Sequence, residues 1–307
     1  MDTPPLKIIF AGSGEFGLPT LRALVDAGHD IVQVFSQPDR PAGRGRTVTP
    51  TPISALANSF NLPLVKTANI NTEPLPPADV MVVIAFGQKI APHVVDHPRL
   101  GSVNLHASIL PKYRGAAPIN WAIIRGESVT GNSVIRLAAK MDAGAILGQS
   151  SIEIGQLETA GEVHDRLSAD GAPLVLRVLN DLAAGRATET RQDESQATLA
   201  PKMSRESSKI DWTRPAREIA NQIRGMYPWP GCRVRLIDRD RKETARITLV
   251  RARATSSDPA GDAITSDRHI GPLEILELQP EGRRPMSLDA FRNGHRFEAG
   301  MRIESIA

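Results

Sequence analysis

Cysteine is all but missing from the 307-residue chain, whose single thiol is Cys232. One thiol closes no internal disulfide and supplies no thiolate cluster for a metal, which agrees with a reducing compartment. No uninterrupted apolar run approaches the roughly 20 residues of a membrane helix. The opening MDTPPLK lacks the basic flank and apolar core of a signal peptide. The expectation is a cytoplasmic protein with no membrane segment. The seven histidines show no ligand spacing beyond His93 and His97, four apart in a polar stretch beside Pro98, so no metal site is expected. Internal repeats and low-complexity tracts are absent as well. Net charge is only +3, too small to point to a partner, so its distribution matters more than its total.

The length exceeds the roughly 100–200 residues of one domain and predicts two. With 41% apolar and 23% charged residues the composition is that of a globular protein. Residues 6–10 (LKIIF) form an apolar run ended by a glycine turn; residues 18–27 then show helical spacing until Gly28, and a second strand over 31–36 follows. This is a βαβ unit, which predicts parallel pairing. A helical pattern over 51–61 and the nearly all-apolar DVMVVIAF over 79–86, suited to a strand covered on both faces, continue the α/β reading. Strands over 103–106, 133–137 and 146–154 and helices over 116–125 and 161–184 follow, the last interrupted near 171–173. The polar stretch 185–208 offers little to a core and reads as a linker. The expected organisation is a first domain over 1–188, a linker over 189–208 and a second domain over 209–307. That second domain opens with a helix over 215–226 and continues as short alternating runs over 233–237, 246–250 and 273–278, the pattern of a small β-barrel or sandwich.

Residues 11–17, AGSGEFG, set Gly12, Gly14 and Gly17 at the G-x-G-x-x-G spacing directly after a strand. A dinucleotide site also asks for an acidic residue about 20 positions on, and Asp39 stands near there. The loop PDRPAGRGR at 38–46 carries Arg40, Arg44 and Arg46, which suit the 2′-phosphate of NADP or a longer phosphate chain. Glycine spacing alone does not choose between these. Stronger chemistry lies in VNLHASILPKYRGAAPINWAI at 103–123, where Asn104 and His106, two apart in a short strand, project to the same side. The carboxyl end of such a strand faces the crevice where open α/β sheets bind ligands.

Together, AGSGEFG, QPDRPAGRG, ADVMVVIAFG, NLHASILPKYRGAAPI, KMDAGAIL, APKMSRESSKIDW, NQIRGMYPWPG and LQPEGRRPM resemble the folate-dependent formyltransferases, in kind and order, over nearly the whole chain. The resemblance implies a Rossmann-like α/β domain with a parallel-type sheet, followed by a small OB-like β-barrel. It implies transfer of the formyl group of 10-formyltetrahydrofolate to the α-amino group of methionyl initiator tRNA, for translation initiation, by a monomer. By the same resemblance Asn104, His106 and Asp142 are the catalytic residues. Ser108, Ile109, Leu110 and Pro111 contact the folate, with Ile109 in place of the more usual leucine, a volume-conserving change. The loop 38–46 enters the acceptor end of the tRNA, Arg44 being its best-matched position, and Phe16 belongs near the methionyl side chain. The chain departs from the family at Ala143 and Ala145, where a threonine and often a second acid stand, and in a segment 261–279 that is several residues short and weakens or loses a strand.

The residue types suit acyl transfer. An α-amino group titrates near pH ~7.7–8.0 and needs no serine or cysteine nucleophile. Asn104 and His106 can donate hydrogen bonds to the formyl oxygen, and Asp142 can position His106 and accept the amine's proton. Residues 209–307 carry 18 basic against 14 acidic side chains, and 231–253 alone carry 8 against 3. There Arg233, Arg235, Arg246, Arg251 and Arg253 alternate along two expected strands and could present one face to tRNA phosphates. A formyltransferase acting on a small amine would leave the arginine loop and second domain without a task. An NADP-dependent oxidoreductase would leave 103–123 unused, and a non-catalytic RNA-binding module would leave the trio unused.

Overall fold

The computed structural model describes residues 4–42, 47–256, 258–266 and 268–306. Its contacts divide into two compact units, the first made of residues 1–114, 131–152 and 164–199, the second of 115–130, 153–163 and 200–307. The division follows packing and not chain order.

The first unit is built on seven strands: β1 (Lys7–Gly12), β2 (Asp30–Ser36), β3 (Leu64–Lys66), β4 (Val80–Ile84), β5 (Ser102–His106), β6 (Ser133–Arg136) and β7 (Ile146–Gln149). Their order is β7-β6-β5-β4-β1-β2-β3. The pairs from β3 to β5 are parallel, whereas β6 runs antiparallel to β5 and β7 to β6. The strand order reverses beside β1, so the carboxyl ends of β1 and β4 flank the crevice. All five residues of β4 are buried, which is why its sequence shows no alternation. The helix Leu18–Asp26 buries Leu21 and Leu24 and gives way to Gly28 at φ +77°, a left-handed stop. The helix Pro52–Ser59 starts where Thr51 Oγ1 accepts the Ser54 amide at 3.1 Å.

Two expectations change here. The helix Ala160–Ala183 runs unbroken through Pro173. A Cβ on Gly171 would lie 2.6 Å from Leu105 Cδ2, so the helix lies tightly on β5, and packing outweighs the hydrogen bond that proline forfeits. The stretch read as a linker is partly built into the fold. Thr190 exchanges backbone hydrogen bonds with Ile146 at 2.8 and 2.9 Å, and Gln192 is buried. Backbone pairing needs no apolar side chain, so a polar sequence did not disclose it.

The second unit has an antiparallel sheet of β8 (Cys232–Ile237), β9 (Glu243–Ala254), β10 (His269–Ile270), β11 (Leu273–Pro280), β12 (Met286–Ser287) and β13 (Arg302–Ser305). The order is β10-β11-β9-β8-β13, with β12 beside β11. Isolated bridges from Ala263 to Arg302 and from Ile264 to Ile270 link the two edge strands, so the sheet curls toward a small barrel. The short segment 261–279 therefore still contributes these bridges and the two-residue β10. The amphipathic helix Ala216–Met226 seals the core with Ile219, Ala220, Ile223 and Met226. Cys232 is fully buried there, and burial pushes its thiol up to about 12, which removes it as a nucleophile.

The helix Pro118–Ile124 joins this core because Gly225 lets it approach: a Cβ there would meet Ile124 Cγ1 at 2.6 Å and the Asn120 carbonyl oxygen at 3.0 Å. Gly225→Ala should cost about 1–3 kcal/mol through overpacking. Urea unfolding would detect it as a lowered midpoint with unchanged slope; an unchanged midpoint would contradict the contact.

Candidate active site

The site is assembled at the carboxyl end of β5. Asn104 lies across from Val83 on one side and Ile135 on the other, and His106 lies across from Ser133. Leu105 between them is buried, and the alternation of the strand turns both polar side chains to the face opposite it. His106 Nε2 lies 2.9 Å from the Tyr113 carbonyl oxygen. A carbonyl only accepts, so Nε2 carries the hydrogen and Nδ1 is the nitrogen left for chemistry. Nδ1 is 3.7 Å from Asp142 Oδ2, an ion-pair distance beyond direct hydrogen bonding. The two side chains are 7% and 15% exposed, so their interaction is little screened by water. The amide of half-buried Asn104 makes no hydrogen bond among the described residues, which sets it apart from the satisfied polar groups around it.

Tyr113 and Asp142 both hold left-handed backbone, at φ +62° and +52°. Such conformations cost a non-glycine residue roughly 1–3 kcal/mol and persist where neighbours fix them. Here the Tyr113 amide donates to Thr198 Oγ1 at 2.9 Å, and the Asp142 carbonyl accepts from Gln192 Nε2 at 2.8 Å.

The tetrapeptide Ser108 to Pro111 follows directly, and it divides in two. Ser108 and Leu110 are buried, and the Ser108 hydroxyl is spent on the Lys112 carbonyl at 2.7 Å. Ser133 Oγ ties the turn from below, accepting from the Leu110 amide at 3.0 Å and donating to the Ser108 carbonyl at 2.7 Å. Gln149 donates to the Leu110 carbonyl at 3.0 Å. Ile109 and Pro111 alone of the four keep partly exposed side chains. Ser133, Gln149, Tyr113 and Gln192 were missed in the sequence. Tyr113 acts through a carbonyl that any residue has, and lone glutamines in polar runs carry no signal.

At the crevice, the opening glycine turn is used for packing. A Cβ on Gly12 would fall 2.8 Å from Phe10 Cε1 and 2.9 Å from the Ile84 carbonyl oxygen. Phe16 sits buried in the 3-10 turn Glu15–Gly17; its carbonyl accepts from Ser168 Oγ at 2.9 Å, and its ring meets His164 edge-on with centroids 5.3 Å apart. Asp39, which a dinucleotide ribose would need, is paired with Lys66 at 2.7 Å. Arg40 opens a short strand, Arg40–Ala42, antiparallel to Thr47–Thr49, and its guanidinium donates to Gln37 Oε1 at 3.0 Å. Arg44 and Arg46 lie outside the described residues.

In the second unit the arginine stripe is matched by glutamates. Arg233 lies 3.6 Å from Glu281, Arg235 bonds Glu304, Arg246 bonds Glu243, and Arg253 bonds Glu274. Arg251 bridges Glu162 at 2.6 Å and Glu277 at 2.7 Å. The guanidinium of Arg251, with the Thr159 amide and hydroxyl, holds the Glu162 carboxyl down at about 2 despite desolvation. A carboxyl depressed below its ordinary 4.5 adds stability that is present above that pH and lost as pH falls toward about 2. Acid titration of the folded protein should therefore show a loss of stability in this window that Glu162→Gln makes shallower, read from thermal midpoints at successive pH values. An unaltered pH dependence in the variant would contradict the pairing.

Two family profiles match the chain, Formyl transferase over residues 6–179 and Formyl transferase, C-terminal domain, over residues 202–296. The chain belongs to the formyl transferase family. It is 39% identical to the methionyl-tRNA formyltransferase of Methylococcus capsulatus over 315 residues, covering 97% of this chain and 99% of that one. It is 40% identical to that of Acidobacterium capsulatum over 312 residues, covering 97% and 99%. Among solved structures, the family fold is shared with the sugar 3N-formyl transferase WlaRD at TM-score 0.64 and 17% identity, covering 91% of this chain and 99% of that one. An N-formyltransferase from Helicobacter canadensis matches at TM-score 0.65 and 16% identity, covering 90% and 99%. In this formyl transferase, the two profile matches fall on the α/β sheet with its polar carboxyl end and on the curled antiparallel sheet.

Proposed function

We propose that this formyltransferase moves the formyl group of 10-formyltetrahydrofolate to the α-amino group of methionyl initiator tRNA, with Asn104, His106 and Asp142 as its catalytic residues. The single observation behind the chemistry is the triplet at the end of β5: an amide without a hydrogen-bond partner among the described residues, an imidazole anchored through Nε2, and a carboxylate facing the other ring nitrogen. The choice of acceptor is supported by the full-length identity to methionyl-tRNA formyltransferases.

The amine of the aminoacyl ester attacks the formyl carbon, forming a C–N bond as the carbonyl electrons move onto oxygen. The Asn104 amide donates to that oxygen. His106 Nδ1, with the Asp142 carboxylate beside it, accepts the proton that the amine sheds. The imidazolium so formed is stabilised by the carboxylate and places positive charge near the oxyanion. The C–N10 bond then breaks, the oxygen electrons return to the carbonyl, and N10 takes up the proton that His106 Nδ1 holds as tetrahydrofolate leaves. Ile109 and Pro111, with their partly exposed side chains, are the members of the tetrapeptide suited to touch the folate; Ser108 and Leu110 shape the turn beneath them. Phe16 supports the methionyl side by packing.

For the tRNA, this reading relies on Arg40, Arg44 and Arg46. Arg233 and Arg235 are half-exposed and would exchange glutamates for phosphates, whereas Arg251, held by two carboxylates, serves the fold of its own unit. We read the enzyme as a cytoplasmic monomer.

The test is formyl transfer from 10-formyltetrahydrofolate to methionyl initiator tRNA, to free methionine and to a nucleotide-linked amino sugar in parallel. The reading expects product on the tRNA at a rate far above the other two. Preferential formylation of either small amine would overturn it.

A further inference from the structure

The segment after Thr190 reaches into the site from behind. Gln192, buried, donates from one Nε2 to the carbonyl oxygens of both Asp142 and Gly144, each at 2.8 Å. Its Oε1 accepts from Arg114 Nε at 3.0 Å and Nη2 at 2.7 Å. Because a guanidinium only donates, these two bonds fix the amide so that its NH2 faces the Asp142 loop. Arg114 is buried and is held in turn by Glu194 at 2.8 and 3.1 Å, and Lys140 also bonds Glu194. The same segment fixes the imidazole side: Thr198 accepts the Tyr113 amide on its hydroxyl and the Arg114 amide, at 2.9 Å, on its carbonyl, while Tyr113 holds His106 Nε2. Residues 190–198 thus grip both the strand end that carries His106 and the loop that carries Asp142.

We infer that Gln192, oriented by Arg114, is a positioning residue that sets the spacing and aim of Asp142 toward His106 Nδ1. It touches none of the reacting atoms of the proposed chemistry; it acts on the backbone carbonyl of Asp142 itself and on that of Gly144, two residues on. That aspartate sits in left-handed backbone at φ +52°, so without the two hydrogen bonds the loop relaxes toward an ordinary conformation and the carboxylate turns away. The inference rests on the proposed role of Asp142.

Gln192→Glu is the discriminating change. It keeps the side-chain shape and strengthens the link to Arg114, but it sets a carboxylate oxygen against two carbonyl oxygens in place of a donor. The expected result is a fall in kcat of roughly 10- to 100-fold, since displacement by about 1 Å costs on the order of 100-fold. KM for both substrates should stay near wild type, while the thermal midpoint falls because two buried hydrogen bonds are lost. The 15N resonance of His106 Nδ1 should move in the direction seen in Asp142→Asn, a change that general loosening would not produce. If Gln192→Glu fails to fold, Glu194→Gln cuts the chain at its exposed outer end and should give a smaller loss of kcat, about 2- to 5-fold, with the same shift of resonance. Wild-type kcat and resonance in the variant that folds, beside a slow Asp142→Asn, would overturn the inference alone. Fast chemistry in Asp142→Asn would overturn the proposed role of Asp142, and this inference with it.

Discussion

Replacing Asn104 with alanine is expected to slow single-turnover formyl transfer by about 100- to 1,000-fold, the usual loss for one oxyanion donor in a water-poor site. The argument is geometric. Asn104 lies on the same strand as His106, two residues away, and its amide is not engaged by any described residue. A donor committed to the protein would have to break a bond to serve the substrate; this one does not. Removing it should leave folding intact, because no hydrogen bond to a described residue is lost, and should leave substrate affinity nearly unchanged, because the interaction strengthens only as charge develops. A large rise in KM at constant kcat would instead make Asn104 a ground-state binding residue. Asn104→Asp is informative alongside it, since it keeps the shape and replaces the donor with a charge that repels the oxyanion.

Gly144→Ala should be comparably severe by another route. A Cβ at this position would stand 1.8 Å from the carbonyl oxygen of Arg136 and 2.8 Å from its carbon, both backbone atoms. Arg136 is fixed in β6 by its pairing with Val103, so the loop must move instead of the strand. Movement of Gly144 pulls on the carbonyl that Gln192 holds and carries Asp142 with it. The expectation is a loss of about 1–3 kcal/mol in stability from overpacking, together with a fall in kcat of at least 10-fold, on the order of what a misplaced catalytic group costs. Denaturant unfolding and rapid-quench kinetics on the same preparation separate the two effects. Wild-type stability and rate would mean that the loop tolerates displacement and that its close approach to β6 has no consequence.

The first βαβ unit was legible from LKIIF, the helical spacing over 18–27 and Gly28, because buried parallel strands and a capped amphipathic helix leave strong local patterns. Asn104 and His106 were legible through their period-two spacing on a strand end. Asp142 required the family resemblance, since a single aspartate in a loop has no pattern of its own. The helix through Pro173 misled because it packs against residues far away in sequence, Leu105 among them. The polar stretch near 190 misled for a related reason: its order comes from backbone pairing to Ile146 and from a buried Arg114, neither of which shows in local composition. In the second unit the alternating arginines were visible, but apart from Glu243, which pairs with nearby Arg246, the glutamates that neutralise them are Glu162, Glu274, Glu277, Glu281 and Glu304, spread over more than a hundred residues. A charge count over 231–253 leaves out the partners that lie elsewhere in the chain. For the same reason, salt dependence of tRNA affinity should reflect chiefly the arginines of 38–46.

The most direct measurement is a rapid-quench single turnover with formyl-labelled 10-formyltetrahydrofolate and methionyl initiator tRNA, run on wild type and on Asp142→Asn. The account predicts that label leaves the folate and reaches the methionyl amine at one matched rate in the wild type, and that the variant binds both substrates yet transfers about 100- to 10,000-fold more slowly. Label that stays on the folate in the wild type, or that transfers equally fast in the variant, would contradict it.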